Sequence, residues 1–256
     1  MTTLLQTSQD LIYPESDVKP MSENTEHYRW IVTIKENLEI LFAADPSVFV
    51  AGDLLWYPIE KKPDPESAPR VGPDVMVIFG VPKGKRGSYL QWTEGNIAPQ
   101  VVFEIRSPGN KAGEMREKFD FYQEYGVEEY YLYDFSRFAL DGWQRRGNRL
   151  EPILNMDGWV SPRLGIRFLM TTEDLEIYRP DGRKFLTSVE LEEERQQTEQ
   201  ERDQLKVELE QKDSQLEQKD NQLEQMRTQM EQLAGQLDTL SPEQLEALGI
   251  DPKLLG

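Results

Sequence analysis

Cysteine is absent from the 256-residue chain, and histidine occurs once, at His27. These gaps exclude disulfides, thiol nucleophiles and cysteine-based zinc sites, and they leave no second histidine for a mechanism that needs a pair. Metal chemistry, if present, must draw on oxygen ligands. No run approaches the roughly 20 apolar residues of a membrane-spanning helix, and MTTLLQTSQDLIYPESD has neither the basic flank nor the apolar core of a secretion signal. A cytoplasmic protein with no membrane segment is expected. Apolar residues make up only 38% of the chain, so part of it lies outside any core. Cations are scarce as well. The net charge of −18 opposes broad nucleic-acid binding, which needs clustered Lys and Arg.

That deficit is uneven. Residues 190–240 carry 15 Asp and Glu against 6 Lys and Arg, leaving residues 1–189 with a charge of only −7. Within this milder body, KGKR at 83–86, Arg106, Lys111, Arg116, Lys118 and RRGNR at 145–149 form a candidate phosphate-facing surface. Scattered solvated charges are the alternative.

Residues 1–21 are polar and aperiodic and read as a flexible arm. SENTEHYRWIVTIKENLEILF, 22–42, opens on Ser22, placed to cap a helix, and spaces Trp30, Ile31, Ile34, Leu38 and Leu41 along one helical face. VFVAGDLLWYPI at 48–59 predicts a strand, and the loop EKKPDPESAPRVG follows, its prolines and charges opposing regular structure. Further strands are expected from Asp74 onward, at 100–106 and at 128–135, with a helix at 113–126 closed by Gly126. Strand, helix and strand in succession imply a parallel crossover. Beyond it, RRGN signals a hairpin, and WVSPRLGIRFLM with EDLEIYRPDGRKFLT adds short β-segments. The body is therefore α/β with a β-rich extension.

The tail differs in kind. Leu205, Lys212, Lys219, Met226, Leu233 and Leu240 recur every seven residues, and Leu209, Leu216, Leu223, Met230 and Leu237 form a second series four residues later. Together these are the seam of a heptad repeat. Thirty-six such residues extend about 54 Å as a helix. A helix this polar cannot bury its leucines alone, so a coiled coil is expected, most simply a parallel homodimer, with two seam lysines discouraging higher oligomers. SPEQLEALGI, within 241–256, adds a short last helix between Pro242 and Gly249.

The stretch PQVVFEIRSPGN, 99–110, places opposite charges inside an apolar strand. Alternation puts Val102, Glu104 and Arg106 on one face and Val101, Phe103 and Ile105 on the other. A strand that opens a parallel crossover is covered on both faces, and a carboxylate there needs compensation. Asp74, directly after Pro73 at another strand's margin, is a second acid. Two carboxylates on adjacent strands repel unless a cation lies between them, and an all-oxygen site suits Mg²⁺ or Mn²⁺. Phosphodiester hydrolysis uses such a site. An exposed surface ion pair is the competing explanation for Glu104 and Arg106.

GPD at 72–74, VVFEIRSPGN at 101–110, REKFDFYQEYGVEEYYLYD at 116–134 and VFVAGDLLWY before them, in this order, resemble the Uma-two family of restriction endonucleases within the PD-(D/E)XK nuclease superfamily. The likeness spans roughly residues 22–180 and leaves the tail outside. It implies a restriction-endonuclease-like mixed sheet flanked by helices over 22–189, followed by the coiled coil at 190–240. It also implies a Mg²⁺- or Mn²⁺-dependent endonuclease acting on DNA, with Asp74, Glu104 and the backbone carbonyl of Ile105 as metal ligands. Where the superfamily keeps a lysine two residues after the glutamate, this chain has Arg106, which steadies a phosphate or a carboxylate but does not readily exchange a proton. Lys118 on the following helix matches the family's displaced lysine and is expected to orient water or stabilise the transition state. Asp53, Glu26 and His27 match more loosely as further metal contacts. Ser107, without a histidine partner, is a poor nucleophile and with Pro108 shapes the strand end. Two other readings stay open: a silent nuclease fold used for binding or regulation, in which Arg106 pairs with Glu104, and an interaction protein working through its coiled coil.

Overall fold

The computed structural model describes residues 13–15, 24–107 and 112–249. Helix α1, Thr25–Leu41, starts where Asn24 accepts a hydrogen bond from the His27 backbone N–H at 2.9 Å. Asn24 is thus the cap in place of Ser22, and it seats His27 in the first turn. The buried stripe of α1 includes Trp30, Ile31, Ile34 and Leu38, as the spacing predicts.

The central sheet is built from β1 (Val48–Gly52), β3 (Val75–Phe79), β5 (Val101–Arg106), β6 (Glu129–Asp134), β7 (Ala139–Arg146) and β8 (Arg149–Pro152), in the order β1-β3-β5-β6-β7-β8. All neighbours are antiparallel except β5 and β6, which run parallel on either side of helix α2, Ala112–Glu124. That is the expected crossover. Gly126, at φ +94°, takes the left-handed conformation that ends α2.

The strand expected over 48–59 is divided. Asp53, at φ +48°, turns the chain out of the sheet, and β2 (Trp56–Tyr57) pairs instead with β4 (Tyr89–Leu90). The proline-rich loop is less irregular than its composition suggests: Pro65–Ser67 forms a 3-10 turn, and Val71 returns to bridge Trp56. The RRGN hairpin is present, with Arg146 opposite Arg149 and Gly147 at φ +58°. The β-rich extension contributes β9 (Arg167–Met170) and β10 (Leu175–Tyr178), an antiparallel pair.

Two apolar layers sandwich the sheet. On one face Val101, Phe103 and Ile105 join α1 and the β9–β10 side chains Phe168 and Ile177. On the other, Val102, Tyr130 and Leu132 pack with α2 through Tyr122 and Phe119. The alternation read from β5 therefore holds, and Glu104 belongs to the α2 face.

Of the N-terminal arm, Tyr13–Glu15 are described. Tyr13 is buried against Tyr57 and Trp92, and Tyr57 donates to the Pro14 carbonyl. The rest of residues 1–21 lies outside the described residues. The chain divides into two compact units, one up to Leu191 and one from Glu192 onward. Helix α3, Ser188–Leu237, has no buried residue, and α4, Pro242–Ala247, follows it. No described helix is long and apolar enough to cross a membrane.

Candidate active site

Asp74 immediately precedes β3, and Val75 pairs with Phe103, so Asp74 and Glu104 stand side by side at one end of adjacent strands. Both are buried, at 8% and 1% exposure. Asp74 Oδ2 accepts a 2.6 Å hydrogen bond from the Ile105 backbone N–H and lies 3.2 Å from His27 Nε2. The capped first turn of α1 thereby brings the chain's single histidine to the acid.

Glu104 is held from α2. Lys118 Nζ donates to Glu104 Oε2 at 2.7 Å and to the Gly72 carbonyl at 3.1 Å. The Tyr122 hydroxyl donates to Glu104 Oε1. Lys118 and Tyr122 are four residues apart, one helical turn, which places both on the face that α2 lays over β5.

Burial is the main influence on Glu104. It raises the carboxyl to about 7; Asp74 pushes the same way, while Lys118 and the Tyr122 hydrogen bond oppose the rise. Burial also works to lower the Lys118 ammonium, but the charges of Glu104 and Asp74 outweigh it and hold the group above its ordinary value. The Tyr130 hydroxyl, buried on the same face, is likewise raised, by burial and by the fields of Glu104 and Asp74. The cluster is thus two adjacent acids with an internal ammonium bound to Glu104.

The other expected residues fall in varied places. Arg106 sits opposite Asp134 in the β5–β6 register, with Nη1 3.7 Å from Asp134 Oδ2, so its ionic partner is Asp134 and not Glu104. Asp53 donates its backbone N–H to the Asp74 carbonyl at 3.1 Å, and its Oδ1 lies 4.0 Å from where a Cβ on Gly72 would stand. It borders the cluster. Glu26 turns outward to bind Arg29 at 2.8 Å and is not brought to the site. Ser107 is buried at the end of β5. Pro108 and Lys111 lie outside the described residues.

The proposed basic surface is largely committed elsewhere. Arg86 pairs with Glu94 at 2.6 Å, Lys83 binds the Phe42 carbonyl at the end of α1, and Arg145 binds the carbonyls of Tyr122, Gln123 and Val127. Among the described residues no group of three or more His, Asp or Glu side chains is arranged to hold a metal. The donor set still fits Mg²⁺, which keeps several waters and needs only one or two carboxylates. A cavity of about 500 Å³ lined by Gly126, Glu128, Glu129, Gln144, Arg145, Pro162 and Arg163 shares no residue with the cluster. Its buried acid, Glu129, is satisfied by Tyr131, Ser161 and the Arg163 backbone N–H.

Sequence reasoning missed Tyr122 and the Gly72 carbonyl. Tyr122 was detectable, one turn beyond Lys118 in a segment already read as helix. The carbonyl carries no residue signal.

An α/β protein with a buried pair of acids and a lysine at one end of its mixed sheet is the class these features define. The sequence profile of the Uma2 family, described as "Putative restriction endonuclease", matches residues 15–210, and the chain belongs to that family. Five solved chains match it. One is a "putative nuclease belonging to DUF820 from Anabaena variabilis ATCC 29413", 15% identical, covering 56% of this chain and 74% of that one with a TM-score of 0.42. None of the curated proteins matches.

Proposed function

We propose that the chain is a Mg²⁺- or Mn²⁺-dependent endonuclease of the PD-(D/E)XK type, hydrolysing DNA phosphodiester bonds with the domain at 22–189. The observation that carries this reading is the convergence of Asp74, Glu104 and Lys118, with the Lys118 ammonium 2.7 Å from the buried Glu104 carboxylate. Asp74, Glu104 and the Ile105 carbonyl would hold the ion, bordered by Asp53 and His27. When bound, the ion supplies an activated water and neutralises charge on the phosphate oxygens. The chain's own groups do the positioning. Ile105 N–H and His27 orient Asp74, and Tyr122 orients Glu104. Lys118 places a permanent positive charge where a phosphate oxygen or the attacking water would stand, while Arg106 at the mouth steadies the backbone of the substrate. The tail at 190–240 joins two copies as a homodimer, and 241–256 ends it. The chain's action on DNA is assigned to the cytoplasm as part of this reading.

Incubation of supercoiled plasmid with the purified chain and Mg²⁺ or Mn²⁺ tests the reading. Nicking or linearisation is expected, with at least a 100-fold loss in Asp74→Ala and Glu104→Ala, since each removes a charge the reaction requires. Equal residual cleavage in wild type and both variants would reject it.

One observation favours a second reading. Lys118 and Tyr122 donate to Glu104, and Ile105 N–H and His27 bind Asp74, so the chain itself supplies partners to both acids, as in a nuclease fold kept for binding or regulation. Calorimetry with Mn²⁺ separates the two, because the silent fold shows no binding that depends on Asp74 and Glu104.

A further inference from the structure

Between Leu205 and Leu233 the seam of α3 is uncovered: Leu209, Leu216 and Leu223 are 60%, 59% and 63% exposed. Each residue of the leucine series is followed three positions later by one of the other series, so Leu209, Leu216 and Leu223 take position a, and Leu205, Lys212 and Lys219 take position d. Each seam lysine is followed directly by an aspartate, Asp213 or Asp220, at position e. We propose that α3 pairs with a second copy of itself, parallel and in register, with chain direction set by these lysine–aspartate steps. The inference rests on the coiled-coil reading above and is independent of the nuclease reading.

In a parallel coil a d side chain packs beside the e residue of the other helix at the same level. Lys212 and Lys219 then meet Asp213 and Asp220 of the second copy, while their aliphatic stems cover the seam. Glu201 at g reaches Lys206 at e of the second copy. One like-charged contact opposes this arrangement, Glu208 with Asp213 of the other helix. Lys212 already lies 2.7 Å from Glu208 on its own helix, so it sits between the two acids and neutralises both. Every apolar layer from Leu205 to Leu237 meets its own copy.

Reversal forfeits these matches. An antiparallel pair that keeps the apolar stretches overlapped brings Lys212 or Lys219 beside Arg227 at position e. Sliding the helices one way to avoid that contact sets Leu233 opposite Arg202, and sliding them the other way carries Leu205 and Leu209 past Leu237, the end of the second α3. Only the parallel register satisfies the leucines and the lysines together.

The chain has no cysteine, so a single Leu237→Cys substitution in the full-length protein reports direction without background. Sedimentation of the wild type at tens of micromolar should give a dimer mass; a monomer would overturn the coiled-coil reading itself. Mild oxidation of the Leu237→Cys dimer should yield nearly complete disulfide-linked dimer. An antiparallel coil would hold the two thiols roughly 48 Å apart, so a dimer that stays reduced would overturn the parallel register and leave the coiled coil standing. Asp213→Lys with Asp220→Lys should weaken dimerisation at least tenfold, and unchanged affinity would refute the lysine–aspartate pairing.

Discussion

Replacing Glu104 by Gln should flatten the pH dependence of stability. In the wild type the buried carboxyl is raised from 4.5 to about 7. A raised acid binds its proton more tightly in the folded than in the unfolded chain, so its contribution is fully present below pH 4.5 and is lost as pH climbs to 7. At about 1.36 kcal/mol per pH unit the full loss is about 3.4 kcal/mol, of which about 2.5 kcal/mol falls between pH 5 and pH 8. Gln keeps the shape and removes the titration: its amide oxygen accepts from Lys118, and its NH2 donates to the Tyr122 hydroxyl, which turns to accept. Any constant penalty for depriving Lys118 of its counter-charge shifts both pH values alike, because that ammonium stays protonated throughout the window. Urea unfolding of both proteins at pH 5 and pH 8 gives four free energies, and the double difference is the test. Wild type should lose about 2.5 kcal/mol more than Glu104→Gln across the interval. Equal losses would show that Glu104 ionises freely, and the account of a desolvated acid beside Asp74 would fall.

Lys118→Met leaves Glu104 buried beside Asp74 with no cation, and it should destabilise by about 3–5 kcal/mol at pH 8. The penalty should shrink at pH 5, where Glu104 carries a proton; denaturant titration at the two values checks both statements. Tyr122→Phe removes the hydroxyl that donates to Glu104 Oε1, leaving a buried acceptor one partner short, at about 1–3 kcal/mol. Its carboxyl should also titrate higher than in the wild type, read as an upward shift of the stability transition with pH.

Much of the fold was legible because local pattern and tertiary packing agree. The α1 stripe, the alternation along β5 and the β5–α2–β6 crossover follow from residue spacing, and the structure places their apolar faces as that spacing requires. Where reading failed, a single residue changed the path. Asp53, directly after Gly52, takes a left-handed turn inside a stretch whose apolar and β-branched residues otherwise read as one strand, and the segment 48–59 parts into two sheets. Asn24, two residues after the expected Ser22, caps α1 because its side chain reaches the His27 N–H. In the site, Asp74 and Glu104 stood out because charged residues at a strand end need a reason, whereas Lys118 was singled out only by the family resemblance. Glu26 was a plausible neighbour by sequence, yet it is one position from His27 on a helix, which swings it about 100° away toward Arg29. The alternative that paired Arg106 with Glu104 on β5 does not hold, because cross-strand register brings Asp134 to Arg106.

The central claim is that Asp74 and Glu104 share a divalent ion. Anomalous diffraction from a crystal of the protein soaked in Mn²⁺ tests it most directly. The account predicts a peak between the Asp74 and Glu104 carboxylates, with the Lys118 ammonium withdrawn from Glu104 Oε2. A map with no peak there at millimolar Mn²⁺, and Lys118 still 2.7 Å from Glu104, would contradict it.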